Sequence, residues 1–157
     1  MRVEIRTNFK NELMVILYEI NDLLTVHIDI HNNIFRPKKS LFSVFTKKID
    51  FESLHVAADR VKGSLAESLE SLSSLAETAT EEERSLCEDV KQYAISFLSS
   101  VSKLGEIANE LYLKSNNRNK LSYSEYNHLV TEYQDTEQKR VEHSQMMNNV
   151  VGKIQHI

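Results

Sequence analysis

The sequence predicts an all-α protein, an antiparallel up-down four-helix bundle that takes up residues 1–157 as a single domain. Three glycines and one proline in 157 residues leave few of the turn residues that a strand-rich fold needs. Apolar residues recur at steps of three and four along four segments, which is the spacing of one helix face. The chain is 41% apolar and 27% charged, the composition of a globular protein that buries a core.

The first predicted helix runs from about Asn8 to Phe35 and stops before Pro37, the one proline of the chain. Residues 25–31 inside it alternate apolar and polar with a period of two, as a strand would. We interpret them as helical because the three-four spacing continues through them from both sides. A single strand would also find no partner elsewhere in the chain.

The other three helices begin at capping residues. Asp50 is a good N-cap for the second helix, and Thr80 with Glu83 forms a capping box before the third. Ser122 repeats that pattern with Glu125 before the fourth. Only a few residues near Ala79 join helices two and three, so these helices are predicted to be antiparallel neighbours. The first connection is the longest and holds a short amphipathic segment, residues 40–46.

Two E-x-x-H motifs invite comparison with di-iron bundles, in which such motifs project inward from alternate helices. The motifs are Glu52–His55 and Glu125–His128. Helical geometry argues against a di-iron site, because His128 points away from the core face of helix four, which is centred on Tyr126, Tyr133 and Glu137. We therefore expect no di-iron centre here.

Three histidines form a different candidate site. His27 and His31 lie four residues apart on the core face of helix one, and His55 lies at a similar height on helix two. Together they could form a three-histidine site for zinc or iron with one open position, which would suit a small metal-dependent enzyme or sensor. The competing interpretation, which we favour, is that His27 and His31 are buried without a metal. They would then be neutral core residues hydrogen-bonded to Tyr126, Tyr112 or each other, with no inward carboxylate nearby, or a pH-sensitive pair.

Charge is sorted between the two ends of the predicted bundle. The first and third connections share one end and carry basic residues without acidic ones, whereas the turn between helices two and three is acidic. The basic residues flank two phenylalanines, so this end is a candidate surface for an anionic partner or an anionic membrane. In the alternative interpretation the phenylalanines only cap the core. A nucleic-acid partner is not expected, because the patch is small. The predicted surface comprises Arg36, Lys38, Lys39, Phe42, Phe45, Lys47, Lys48, Arg118 and Lys120.

Helix one is apolar on more than its core face, whereas helix four is polar even on its inward face. Met14, Val15 and Val26 fall outside the core stripe of helix one, which predicts self-association or another helical partner. Glu137 and Arg140 point inward on helix four, so this stretch either packs at a wet edge or extends past the bundle. The sequence therefore favours a non-enzymatic interaction module that forms homodimers. The lone Cys87 and the absence of an apolar run of membrane-spanning length suit a cytoplasmic protein.

Overall fold

The computed structural model describes residues 5–36, 49–118 and 121–155, and these residues form a four-helix bundle without strands. The predicted fold class is confirmed. The helices are α1 (Thr7–Phe35), α2 (Phe51–Glu77), α3 (Glu81–Ser115) and α4 (Tyr123–Gln155). The alternating segment inside α1 is helical, as predicted. The amphipathic segment of the first connection lies outside the described residues.

The helix ends follow the capping pattern of the sequence. The Asp50 carboxylate accepts the Ser53 backbone N–H at 3.1 Å, and Thr80 and Glu83 form a complete capping box. At the start of α4, the Ser122 hydroxyl accepts the Glu125 backbone N–H. Asn117 adopts a positive φ of 55° just after α3, where an asparagine is one of the few residues that tolerates the left-handed conformation.

The packing of the four helices is uneven. The central helix α3 packs along α2 and α4 and also touches α1, while α1 packs on α2. At Gly105 of α3, an added Cβ would lie 3.2 Å from the Ala58 Cβ of α2, so the glycine permits a close approach of these two helices. The backbones of α1 and α4 come together far less, and side chains span the seam between them. The core is a single cluster centred on α3.

A buried carboxylate fastens the chain at the end of the bundle where α2 turns into α3. Glu83 has no exposed side-chain area, and it accepts hydrogen bonds from the Arg6 side chain, at 2.7 Å, and from the Arg6 backbone N–H. The Arg6 guanidinium also donates to the Thr78 carbonyl at 2.8 Å. The residue that completes the α3 capping box thus holds the start of α1 as well.

Burial alone would raise the pKa of Glu83, but hydrogen bonds from Arg6 and from the Thr80 backbone N–H outweigh it and lower the pKa to about 2. Glu83 is therefore ionised at neutral pH. Its stabilising effect is fully present above its ordinary pKa of 4.5 and is lost as pH falls from there towards 2.

We expect Glu83→Ala to lower the free energy of unfolding by about 2 kcal/mol at neutral pH, since it removes a cap and leaves Arg6 without its partner. Urea denaturation measures the change. Glu82→Ala is the matched control, because Glu82 is exposed in the same first turn. Equal effects of the two substitutions would contradict a special role for the buried carboxylate.

Candidate functional site

The seam between α1 and α4 contains a partly buried polar network centred on Glu137. Nε2 of His27 lies 2.7 Å from the Glu137 carboxylate, and the Ser100 hydroxyl of α3 donates to the same carboxylate oxygen. Arg140 donates from Nε to the other oxygen at 2.6 Å. One carboxylate on α4 therefore binds α1, α3 and the next turn of its own helix.

The ionisation of Glu137 fixes the direction of these hydrogen bonds. Burial opposes ionisation, but hydrogen bonds from His27 and Arg140 outweigh it and lower the Glu137 pKa to about 2. A carboxylate can only accept, so His27 donates from Nε2. Nδ1 of His27 is then a buried atom without a hydrogen-bond partner in the described part of the chain.

Arg140 is buried opposite this carboxylate, with only 7% of the residue exposed. Its guanidinium also donates from Nη1 to the Tyr93 hydroxyl at 3.1 Å. A buried guanidinium is tolerated when a carboxylate balances its charge and acceptors take up its N–H groups. The polar stretch of α4 therefore packs at an edge of the bundle, with Arg140 buried and Glu137 half-buried, and does not extend past it.

One turn nearer the basic end, the seam becomes aromatic. Nδ1 of His31 is hydrogen-bonded to the Tyr133 hydroxyl at 2.8 Å, and the Phe35 ring stacks on the Tyr133 ring at 5.7 Å between centroids. Burial is the main cause that lowers the His31 pKa from its ordinary 6.5. Burial also raises the Tyr133 pKa, with a further contribution from the Glu137 charge. His31 is thus kept neutral at physiological pH.

These contacts settle several sequence-based predictions about the histidines. His27 is buried, as predicted, and His31 is half-buried. The predicted partners were wrong: the histidines bond to Glu137 and Tyr133 rather than to Tyr126, Tyr112 or each other, and a carboxylate does lie nearby. Helix four was recognised as polar on its inward face, and that polarity was the signal that could have identified Glu137 as the partner.

The three-histidine site is not assembled in the structure. His55 is half-buried and hydrogen-bonded to the Gly105 carbonyl at 3.2 Å, on the side of α2 that faces α3. In residues 5–36, 49–118 and 121–155, no three His, Cys, Asp or Glu side chains converge in a way that could hold a metal ion. His128 is exposed, in agreement with its predicted position off the core face.

Towards the acidic end of the bundle, the same seam opens into a groove of about 220 Å³. Its apolar side chains come from Met14, Leu17 and Leu24 on α1 and from Met147 and Val151 on α4, with Tyr93 also lining it. The polar residues that line it are uncharged, and none of its lining residues is Asp, Glu, Lys, Arg or His. A neighbouring groove between α1 and α2, lined in part by Val15, is instead flanked by Glu12, Glu67 and Glu70.

The residues predicted to mediate self-association fall on two flanks of α1. Val15 and Val26 are exposed, whereas Met14 is half-buried in the uncharged groove towards α4. Tyr18 was not among the predicted residues, but it is more exposed than either valine and also lines that groove. Val141 of α4 is exposed as well.

The predicted basic surface is only partly described. Arg36 and Arg118 are exposed at the same end of the bundle, and Lys114 accompanies them there. The remaining residues of that surface, Lys38, Lys39, Phe42, Phe45, Lys47, Lys48 and Lys120, lie outside the described residues. Among the described helices none is long and apolar enough to cross a bilayer.

Two other reactive groups lie elsewhere on α3: the only thiol, and a serine that contacts a histidine of α4. Cys87 is buried, and burial raises its pKa to about 11, so the thiol is protonated at neutral pH. Ser96 contacts Nδ1 of His143 on α4. No carboxylate of the described residues is hydrogen-bonded to that imidazole, so the pair lacks the orienting acid of a catalytic triad.

We expect Glu137→Ala to lower the free energy of unfolding by about 3 kcal/mol, because it leaves the Arg140 charge buried without a counter-ion. Chemical denaturation at pH 7 is the measurement. Asp135→Ala, an exposed acidic residue on the same helix, is the matched control and should change stability by less than about 0.5 kcal/mol. A loss for Glu137→Ala no larger than that of the control would mean that the network is not stabilising.

The lowered His31 pKa makes stability depend on pH. The unfolded chain binds a proton at His31 more readily than the folded one, so the free energy of unfolding should fall as pH drops below about 6.5. Denaturation curves between about pH 7 and about pH 5 should show a shallower dependence for His31→Phe than for wild type. Identical slopes would exclude His31 as a source of the effect.

No family model matches the chain, and no curated protein or solved structure matches it in the comparisons with known proteins. Three features of the bundle bear on function. They are the polar network that joins α1 to α4, the uncharged groove beside it, and the apolar side chains of α1 that are exposed to solvent.

Proposed function

We propose that the protein is a non-enzymatic helical interaction module that self-associates with α1 at the interface. The observation that carries the proposal is the exposed apolar surface of this helix. Val15, Tyr18, Val26 and Ile28 are 56%, 63%, 40% and 44% exposed, although α1 already contributes a full stripe of side chains to the core. Four of the eight large apolar side chains that are exposed in the described residues lie on this one helix, and a concentration of exposed apolar area marks sites of protein–protein contact.

The polar groups of the seam support a structural rather than a catalytic role. Both carboxylate oxygens of Glu137 accept hydrogen bonds, which come from His27, Arg140 and Ser100. A general base needs a free lone pair near a substrate, and the hydrogen bonds of Glu137 compete for that role. A nucleophilic thiol must ionise, but burial raises the Cys87 pKa and keeps this thiol protonated. A cytoplasmic location stays a prediction from the sequence.

A second surface remains a prediction from the charge pattern. Arg36, Lys114 and Arg118 are exposed together at one end, where an anionic partner or membrane could be attracted. The phenylalanines and lysines that would strengthen such a contact lie outside the described residues, so self-association is the function that we argue.

We expect the wild-type protein to form dimers in the micromolar range, with a mass about twice that of the 18.2 kDa chain. Light scattering coupled to size-exclusion chromatography over a hundredfold range of concentration measures it. Replacing both Val15 and Val26 by Glu should yield a folded monomer, because it puts two charges on the exposed apolar surface of α1, and circular dichroism checks that the variant is helical. A wild type that stays monomeric at several hundred micromolar would remove the proposal.

A further inference from the structure

We propose that the dimer forms through the uncharged groove between α1 and α4, with Tyr18 of each copy inserted into the groove of the other. This inference rests on the proposed self-association and assigns its surface. The juxtaposition that points to it is an exposed aromatic side chain at the edge of an apolar groove. None of the residues that line this groove is charged.

The groove lies beside the part of the seam that polar side chains bridge. The contacts of His27 with Glu137 and of His31 with Tyr133 hold the two helices together towards the basic end. Towards the acidic end, Met14, Leu17 and Val151 line the space between α1 and α4. Apolar side chains that the chain itself leaves uncovered stay in contact with water and lack van der Waals contacts on that side. A side chain from a partner would displace the water and supply those contacts.

The volume of the groove suits an aromatic side chain. A cavity of about 150 Å³ is enough to hold a benzene molecule, and this groove measures about 220 Å³. Met14 and Met147 line it, and methionine side chains adapt their shape and make favourable contacts with aromatic rings. Tyrosine is enriched at interfaces because its ring buries apolar area while its hydroxyl keeps a polar contact.

The absence of charge favours a second copy of this chain as the occupant. In a twofold interface the residues near the axis face their own counterparts, so a charged residue there would meet a like charge. The groove towards α4 has no such residue, whereas the groove towards α2 is flanked by Glu12, Glu67 and Glu70, which would repel their copies. A face that carries both an exposed ring and a groove to receive it is self-complementary.

The face that carries the groove extends along both helices. A helix of 29 residues is about 43 Å long, and two neighbouring helices present a strip about 20 Å wide. On the α4 side, Val141, Gln145 and Asn148 extend the surface with uncharged side chains.

Two pairs of variants test the assignment by sedimentation equilibrium. Tyr18→Ala should weaken dimerisation at least tenfold, whereas Tyr123→Ala, which removes an even more exposed ring (81%) at the start of α4, should leave the dissociation constant within about twofold. Asn148→Lys places a charge at the groove and should weaken the dimer by a similar factor. Asn149→Lys, at the next exposed position, should not.

The outcomes separate this inference from the proposed function. If Tyr18→Ala and Asn148→Lys dimerise as tightly as their controls while the Val15 and Val26 double variant dissociates, self-association stands and the groove assignment is overturned. Native mass spectrometry that finds a bound apolar small molecule on monomeric protein would also overturn it, because the groove would then have a different occupant. A wild type without any dimer removes the proposed function instead. Circular dichroism of every variant confirms that the helices are retained.

Discussion

The ion pair between Glu137 and Arg140 is the interaction on which the arrangement of the fourth helix depends. Helix α4 carries few apolar residues in its middle, so hydrophobic burial alone gives it a weak reason to pack there. The pair allows two charged side chains to face inward, because each satisfies the charge of the other and their remaining groups bond to His27, Ser100 and Tyr93. Polar contacts thus hold the middle of the helix, while apolar side chains towards its two ends, such as Leu129 and Val150, pack on the core.

This way of holding α4 explains why the seam with α1 is uneven. A hydrophobic seam draws two helices together along their whole length, since each turn adds buried area. Here the hydrogen bonds between the two helices come from His27 and His31, which lie one turn apart on α1. The groove lined by Met14 and Met147 is what remains of the seam where the polar contacts end. The proposed interaction surface is therefore a consequence of how the fold is stabilised.

Much of the fold could be predicted from the sequence because it depends on local signals. The caps at Asp50 and Thr80 and the three-four spacing through residues 25–31 act within a few residues, and all three were interpreted correctly. The inward position of Glu137 on α4 was also predicted from periodicity. What periodicity cannot supply is the rotation and height of one helix relative to another, and these decide which side chains meet. The predicted partners of the histidines failed for that reason, and so did the grouping of His55 with His27.

Joining two helices through partly buried polar groups costs desolvation free energy. The geometry of the network indicates what it provides in return. Hydrophobic side chains of similar volume often stabilise as well or better, but they tolerate sliding. Sliding α4 by one turn, about 5.4 Å, would move the Glu137 carboxylate out of reach of both His27 and Ser100. We propose that the network therefore selects one register of α4 against α1 and α3. Because Met147 and Val151 are carried on the same helix, fixing that register also fixes the shape of the groove that they line.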